Sequence, residues 1–208
     1  MTDMSNSPIG KPLLRREDQR FITGAGQYTD DVVLPQQSYG VFLRSPYAHA
    51  RIKAIDTSKA KAAPGVLNVF TGADMAGVGG LPCGWLITSK DGTPMKEPAH
   101  PVLAKDKVRH VGDQVALVVA ETYLQAKDAA ELIEVDYEEL KPVMDITSVE
   151  SAGVAVHDDV PNNVCYDWGH GDKAGVDAAF AKAAHITKLS FVNNRLIPNA
   201  MEPRAANA

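Results

Sequence analysis

Gln114-Val-Ala-Leu-Val-Val-Ala120 is the run that most narrows the folds open to this chain. Every residue after Gln114 is apolar, yet the run is far short of the ~20 apolar residues needed to cross a membrane. It therefore predicts a strand buried on both faces, at the centre of a sheet. Thr122-Tyr-Leu-Gln125 follows at once with the pattern of a capping box, in which Thr122 accepts from first-turn amides and Gln125 reaches back. The helix it opens is expected to run to about Leu132, with Leu124, Ala129 and Leu132 near one face. Ile133-Glu-Val-Asp-Tyr137 then alternates as a strand, and Leu140-Lys-Pro142 closes the unit.

The flanking sequence extends this alternation. Lys107-Val-Arg-His-Val111 is expected to form a hairpin-like pair with residues 114–120 around Gly112-Asp113. Tyr39-Gly-Val-Phe-Leu-Arg44 and Ala50-Arg-Ile-Lys-Ala-Ile-Asp56 read as strands. Thr57-Ser58 cap a short helix over Lys59–Ala63, stopped by Pro64-Gly65. Val66–Phe70 is the next strand, and Thr71–Met75 opens a short helical turn. Residues 76–100 are rich in Gly and Pro and form a long excursion, a kind of loop that is usually functional or packed on a partner. Residues 143–171, with Pro161-Asn162-Asn163, read as a traverse between domains. Asp172 caps a helix containing Ala178, Ala179, Phe180, Ala183 and Ala184. Ile186–Val192 has strand character, and a strand there would present an edge that needs cover from a partner or further sequence. The expectation is that the chain is the front part of something larger.

Composition excludes several functions. A net charge of −5 leaves no basic stripe to release phosphate counterions, so nucleic-acid binding is not expected. The basic cluster Lys11, Arg15, Arg16 is followed by Glu17 and Asp18 and reads as a solvated arm. No signal peptide or membrane span is evident. With only Cys83 and Cys165, and no CxxC, the chain suits a reducing cytoplasm and cannot by itself build an iron–sulfur or zinc site.

Candidate catalytic motifs are weak one by one. Gly24-Ala-Gly26 is not a dinucleotide fingerprint, since Thr29 stands where a third glycine belongs and no apolar strand leads into it. It reads as a tight turn that lets Tyr28 pack. No Walker or GxSxG motif occurs. His49, His100, His110, His157, His170 and His185 show no HxxH or HxxxH spacing, and read as capping and surface residues. Glu134, Asp136, Glu138 and Glu139 have the spacing of a strand's solvent face rather than of an acid/base pair. Arg44-Ser-Pro-Tyr-Ala-His49 could position a polar group near a strand end, but a structural turn is the favoured reading. On residues alone the chain is an α+β domain with no complete active site.

Several segments, in order, resemble one family. They are Arg20–Asp30, Arg44–Ile52, Pro64–Val66 with Val69–Gly72, His100–Ala104, Val108–Ala116, Ala126–Ala130 leading into Val135–Leu140, and Arg195-Leu-Ile-Pro-Asn-Ala-Met-Glu-Pro-Arg204. Together they resemble the N-terminal part of the molybdenum-binding large subunit of the xanthine dehydrogenase and aldehyde oxidase family. The subgroup most resembled includes aerobic carbon monoxide dehydrogenase large chains and N-heterocycle dehydrogenases.

The resemblance implies an N-terminal arm over 1–17, an α/β hammerhead domain over 18–142, an inter-domain traverse over 143–172, and the truncated first helix and strand of a molybdopterin-binding domain over 173–208. It implies a molybdenum hydroxylase that oxidises an aldehyde, an N-heterocycle or carbon monoxide with water as the oxygen source. The implied cofactors are molybdopterin cytosine dinucleotide with molybdenum in the full subunit, and 2Fe–2S clusters and FAD on the small and medium partner subunits. It carries no catalytic, cofactor-binding or metal-binding residue onto this chain, which alone is expected to be inactive. Glu202 matches the family's early Met-Glu-Pro-Arg segment, whose expected role is packing and domain placement. Two other readings are weighed beside it. One is a free-standing hammerhead module acting in assembly. The other is a non-redox enzyme built on residues 76–100, for which Lys90, Asp91, Lys96 and Glu97 are the available groups, all expected to be solvated.

Overall fold

The computed structural model describes residues 9–194 and 196–208, so the first eight residues of the expected arm and Arg195 lie outside the described residues. In chain order the elements begin with α1 (Asp18–Ile22), β1 (Tyr39–Arg44), β2 (Ala50–Asp56), α2 (Ser58–Lys61) and β3 (Val66–Thr71). They continue with β4 (Lys107–Val108), β5 (Gln114–Ala120), α3 (Tyr123–Glu131), β6 (Glu134–Glu139) and α4 (Lys173–Lys182). The chain divides into two compact units. The larger is Gln36–Lys188, and the smaller joins residues up to Pro35 with Leu189–Ala208.

The larger unit is built on two antiparallel three-stranded sheets, β1-β5-β3 and β4-β2-β6. The apolar run at β5 is the central strand of the first sheet, with Val115, Ala116, Val118 and Ala120 fully buried. A central strand spends its backbone groups on both neighbours, which leaves only its side chains to choose what covers them. Helix α3 supplies that cover with Ala126, Ala129 and Ala130, which pack with Ile133 against Ala116, Val118 and Ala120.

This corrects the expected helix face. Leu124 is 68% exposed and Leu132 42% exposed. The buried stripe is instead 126, 129, 130 and 133, spaced i, i+3, i+4, i+7. Small residues win the buried side because they let the helix backbone approach a sheet whose own facing residues include two alanines.

The cap of α3 closes by half. The Thr122 hydroxyl accepts from the Gln125 amide at 3.3 Å, but the Gln125 side chain accepts from the Thr122 hydroxyl at 2.9 Å rather than reaching the backbone N–H. The Gln125 side-chain amide lies over Gly65, where a Cβ would collide with it. Replacing Thr122 with alanine should cost about 1 kcal/mol of unfolding free energy in a urea titration.

A second correction concerns β4. Lys107–Val108 does not form a hairpin with β5 but pairs with Ala50 and Arg51 of β2 in the other sheet. Gly112, with φ +87°, and Asp113 turn the chain from one sheet to the other. The turn is held by Gly112 N–H to Ser45 O at 2.8 Å and Ser45 N–H to Asp113 O at 2.8 Å. Val108 and Val115 both enter a second core with Ala50 and Ala104, a burial that a two-strand hairpin could not provide.

Asp172 accepts from the Gly175 amide at 2.9 Å and caps α4 as expected, and every residue of the helix is exposed. No strand forms over residues 186–192, where one was expected. A strand is held by a ladder, and no segment among the described residues pairs with this one.

Candidate functional site

The turn at Gly24-Ala-Gly26 belongs to the end of α1. Gly24 has φ +74°, and the Ala25 amide donates to Arg20 O at 2.9 Å. Phe21, not Tyr28, closes over it: a Cβ at Gly26 would lie 2.6 Å from the Phe21 ring. In the same small unit the Glu202 carboxylate accepts from the Thr29 amide at 3.0 Å and the Thr29 hydroxyl at 3.1 Å. The Asn207 side chain donates to Thr29 O at 3.1 Å. Glu202 is therefore a structural acceptor for a turn near the N-terminus.

The groups of residues 44–49 are likewise spent on structure. Arg44 donates to Gly112 O at 2.9 Å, and the Ser45 hydroxyl accepts from the Tyr47 amide at 3.0 Å. The Tyr47 and Tyr137 rings lie 5.1 Å apart. His49 departs from the expected surface placement. It is 4% exposed, with Nδ1 donating to Lys141 O at 3.0 Å and Nε2 buried without a partner. The carboxylates of Glu134, Asp136, Glu138 and Glu139 are all exposed on β6, while Val135 and Tyr137 point inward.

The 76–100 excursion is docked by backbone bonds, Lys90 N–H to Asp167 O at 2.8 Å and Lys96 N–H to Cys165 O at 3.0 Å. Lys90, Asp91, Lys96 and Glu97 are exposed, and Lys90 pairs with Asp167 at 2.9 Å. Cys83 and Cys165 are free thiols.

The structure does assemble one cavity that spacing along the chain could not reveal. It has a volume of about 360 Å³ and gathers His100, Lys107, Arg109, His110, Asp113 and His157. Three histidines from three separate segments meet here, which is why a search for local metal spacing passes over them. No group of three His, Cys, Asp or Glu side chains among the described residues is arranged to hold a metal ion.

Lys107, only 2% exposed, donates from Nζ to both Asp158 oxygens at 2.8 and 3.0 Å. Asp113 accepts from the Arg109 amide at 2.9 Å. One guanidinium nitrogen of Arg109 donates to Lys107 O at 3.1 Å, and its Nε is buried with no partner. The lining contains no Ser, Thr or Cys, so no hydroxyl or thiol nucleophile stands in the cavity.

Burial, followed by the positive charge of Arg109, holds His157 below the usual histidine range. The unfolded chain then binds a proton that the folded chain resists. The stabilising contribution is complete above about pH 6.5 and is lost as pH falls through the lower folded value. Urea midpoints should therefore drop between about pH 7.5 and 5.5, and His157→Gln should flatten part of that slope.

A family model described as the aldehyde oxidase and xanthine dehydrogenase a/b hammerhead domain matches residues 23–141. The carbon monoxide dehydrogenase large chain of Afipia carboxidovorans is 40% identical over 93% of this chain and 24% of its own length. The nicotine 6-hydroxylase large subunit of Paenarthrobacter nicotinovorans is 36% identical over 99% of this chain and 24% of its own. Among solved structures, quinoline 2-oxidoreductase from Pseudomonas putida aligns with a TM-score of 0.63 at 40% identity, covering 74% of this chain and 19% of that one. A Cu,Mo-CO dehydrogenase aligns with a TM-score of 0.65 at 39% identity, covering 85% and 23%. The chain thus spans about a quarter of the length of the curated relatives it matches.

Proposed function

The chain belongs to the aldehyde oxidase and xanthine dehydrogenase family, and from that premise we propose that it is the hammerhead-bearing N-terminal part of a molybdenum hydroxylase large subunit. In this reading residues 18–142 are the hammerhead domain, 143–172 the traverse, and 173–208 the beginning of the molybdopterin-binding domain. The observation that carries it is one of register. The matched span, 23–141, takes in every strand of both sheets, from β1 at Tyr39 to the end of β6 at Glu139.

Such an enzyme would oxidise an aldehyde, an N-heterocycle or carbon monoxide. Molybdopterin cytosine dinucleotide would supply the redox chemistry in the full subunit, with 2Fe–2S clusters and FAD on partner subunits. The described residues do not fit any of these groups. They offer no metal-holding cluster and two free thiols, and the Gly24–Gly26 turn closes a short helix rather than opening onto a phosphate. In this reading no catalytic step falls on residues 1–208, which act as a scaffold. A cytoplasmic location is part of the proposal; among the described residues no helix is long and apolar enough to cross a membrane. No observation favours the free-standing assembly module.

The test is the intact mass and molybdenum content of the protein purified from its own source. A larger subunit carrying molybdenum, with no metal retained by the isolated 208-residue chain, is the expected result. A metal-free species of 22.3 kDa as the sole product would overturn the reading.

A further inference from the structure

Arg109 is a cation of the cavity that holds a backbone carbonyl but no carboxylate of its own. The neighbouring carboxylates are already engaged. Asp158 takes both its bonds from Lys107, and Asp113 accepts from the Arg109 backbone and lies 3.7 Å from the His110 ring. Arg109 lines the cavity, and among the described residues no carboxylate forms an ion pair with it. A guanidinium is the side chain whose planar donors best match the oxygens of carboxylates and phosphates.

The remaining lining suits an organic ligand. Pro98, Pro101 and Val156 give the cavity apolar walls beside the charged groups. Its volume of about 360 Å³ exceeds what a bare inorganic ion fills and falls at the small end of organic-ligand pockets. We propose that this cavity binds a small organic oxyanion, a carboxylate or phosphate ester, with its charged end on Arg109 and its apolar body against Pro98, Pro101 and Val156. The site is independent of the molybdenum reading and would stand if that reading failed.

His157 provides the reporter. The charges that act on its ring are Arg109 and Lys107 on one side and Asp158 and Asp159 on the other, with Arg109 the largest. An anion on Arg109 would cancel that repulsion and raise the His157 pKa.

The experiment is an NMR titration of the histidine ring protons of the full chain with inorganic phosphate and, separately, with benzoate. Saturable shifts at His157, with its titration midpoint moved upward, are the expected result. Tighter binding of benzoate identifies a carboxylate ligand, and tighter binding of phosphate identifies a phosphate ester. Arg109→Gln should weaken the tighter probe about tenfold or more. Arg109→Lys keeps the charge but loses the fork, and should also weaken it if the Gln variant does not fold. Absence of saturable binding by either probe, or binding unchanged in a folded Arg109 variant, would overturn the proposal.

Discussion

Ala126→Leu is expected to destabilise the larger unit by about 3 kcal/mol, a large fraction of the stability of a typical domain. Ala126 is fully buried where α3 meets β5, within a layer formed with Ala116, Val118 and Ala120. Leucine adds three heavy atoms at a surface with no side chain able to retreat, so either the helix lifts from the sheet or rotamers are forced off their minima. Leu124→Ala on the same helix is the control. Leu124 is mostly exposed, and its truncation should change stability by no more than about 0.5 kcal/mol. Chemical denaturation of both variants checks the pair. A larger loss for Leu124→Ala would mean that the helix presents its leucines to the sheet.

The second large effect lies at Lys107. Its side chain is almost wholly buried, whereas that of Asp158 is 73% exposed, so the two halves of the pair are not equivalent. Asp158→Ala leaves a buried ammonium without its acceptor and should cost about 1–3 kcal/mol. Lys107→Ala also empties the space of a four-carbon stem and should cost about 2–5 kcal/mol, in the range of large-to-small core changes. Lys107→Met fills that space without a charge and should be nearly neutral, because removing both the ion and its desolvation cost offsets the lost pair.

Lys107 also holds the Asp158 carboxyl below its usual value. The contribution of the pair is thus present above about pH 3.8 and lost as pH falls through the lower folded value. Urea titrations of the three variants at neutral pH give the order. If Lys107→Met proves as costly as Lys107→Ala, the ion pair and not the packing stabilises this site.

Both predictions rest on features that the chain shows unequally. The stripe Ala126, Ala129, Ala130, Ile133 has the spacing of a buried helix face and could have been read from the sequence. Leu124 and Leu132 mask it, because a face drawn through them runs beside the buried one. The pairing of Lys107 with Asp158 had no such signal, since the two are 51 positions apart and each looks like an ordinary surface charge. The cavity with Arg109 was hidden for the same reason. Its histidines come from the end of the excursion, the turn before β5 and the traverse, and no local window contains all three of these segments.

What the sequence determined by itself was local. Apolar continuity made β5 a central strand, side-chain oxygens at Thr122 and Asp172 started two helices, and alternation set the inward and outward faces of β6. These follow from the two-residue period of a strand and the 3.6-residue turn of a helix, which operate without knowledge of the rest of the chain. The tertiary structure alone decided that Lys107–Val108 joins a different sheet from β5, that His49 is interior, and that residues 186–192 form no strand. Each of those outcomes turns on which distant segment supplies a backbone partner or an apolar cover. That choice is made by burial summed over the whole unit, which local pattern does not encode.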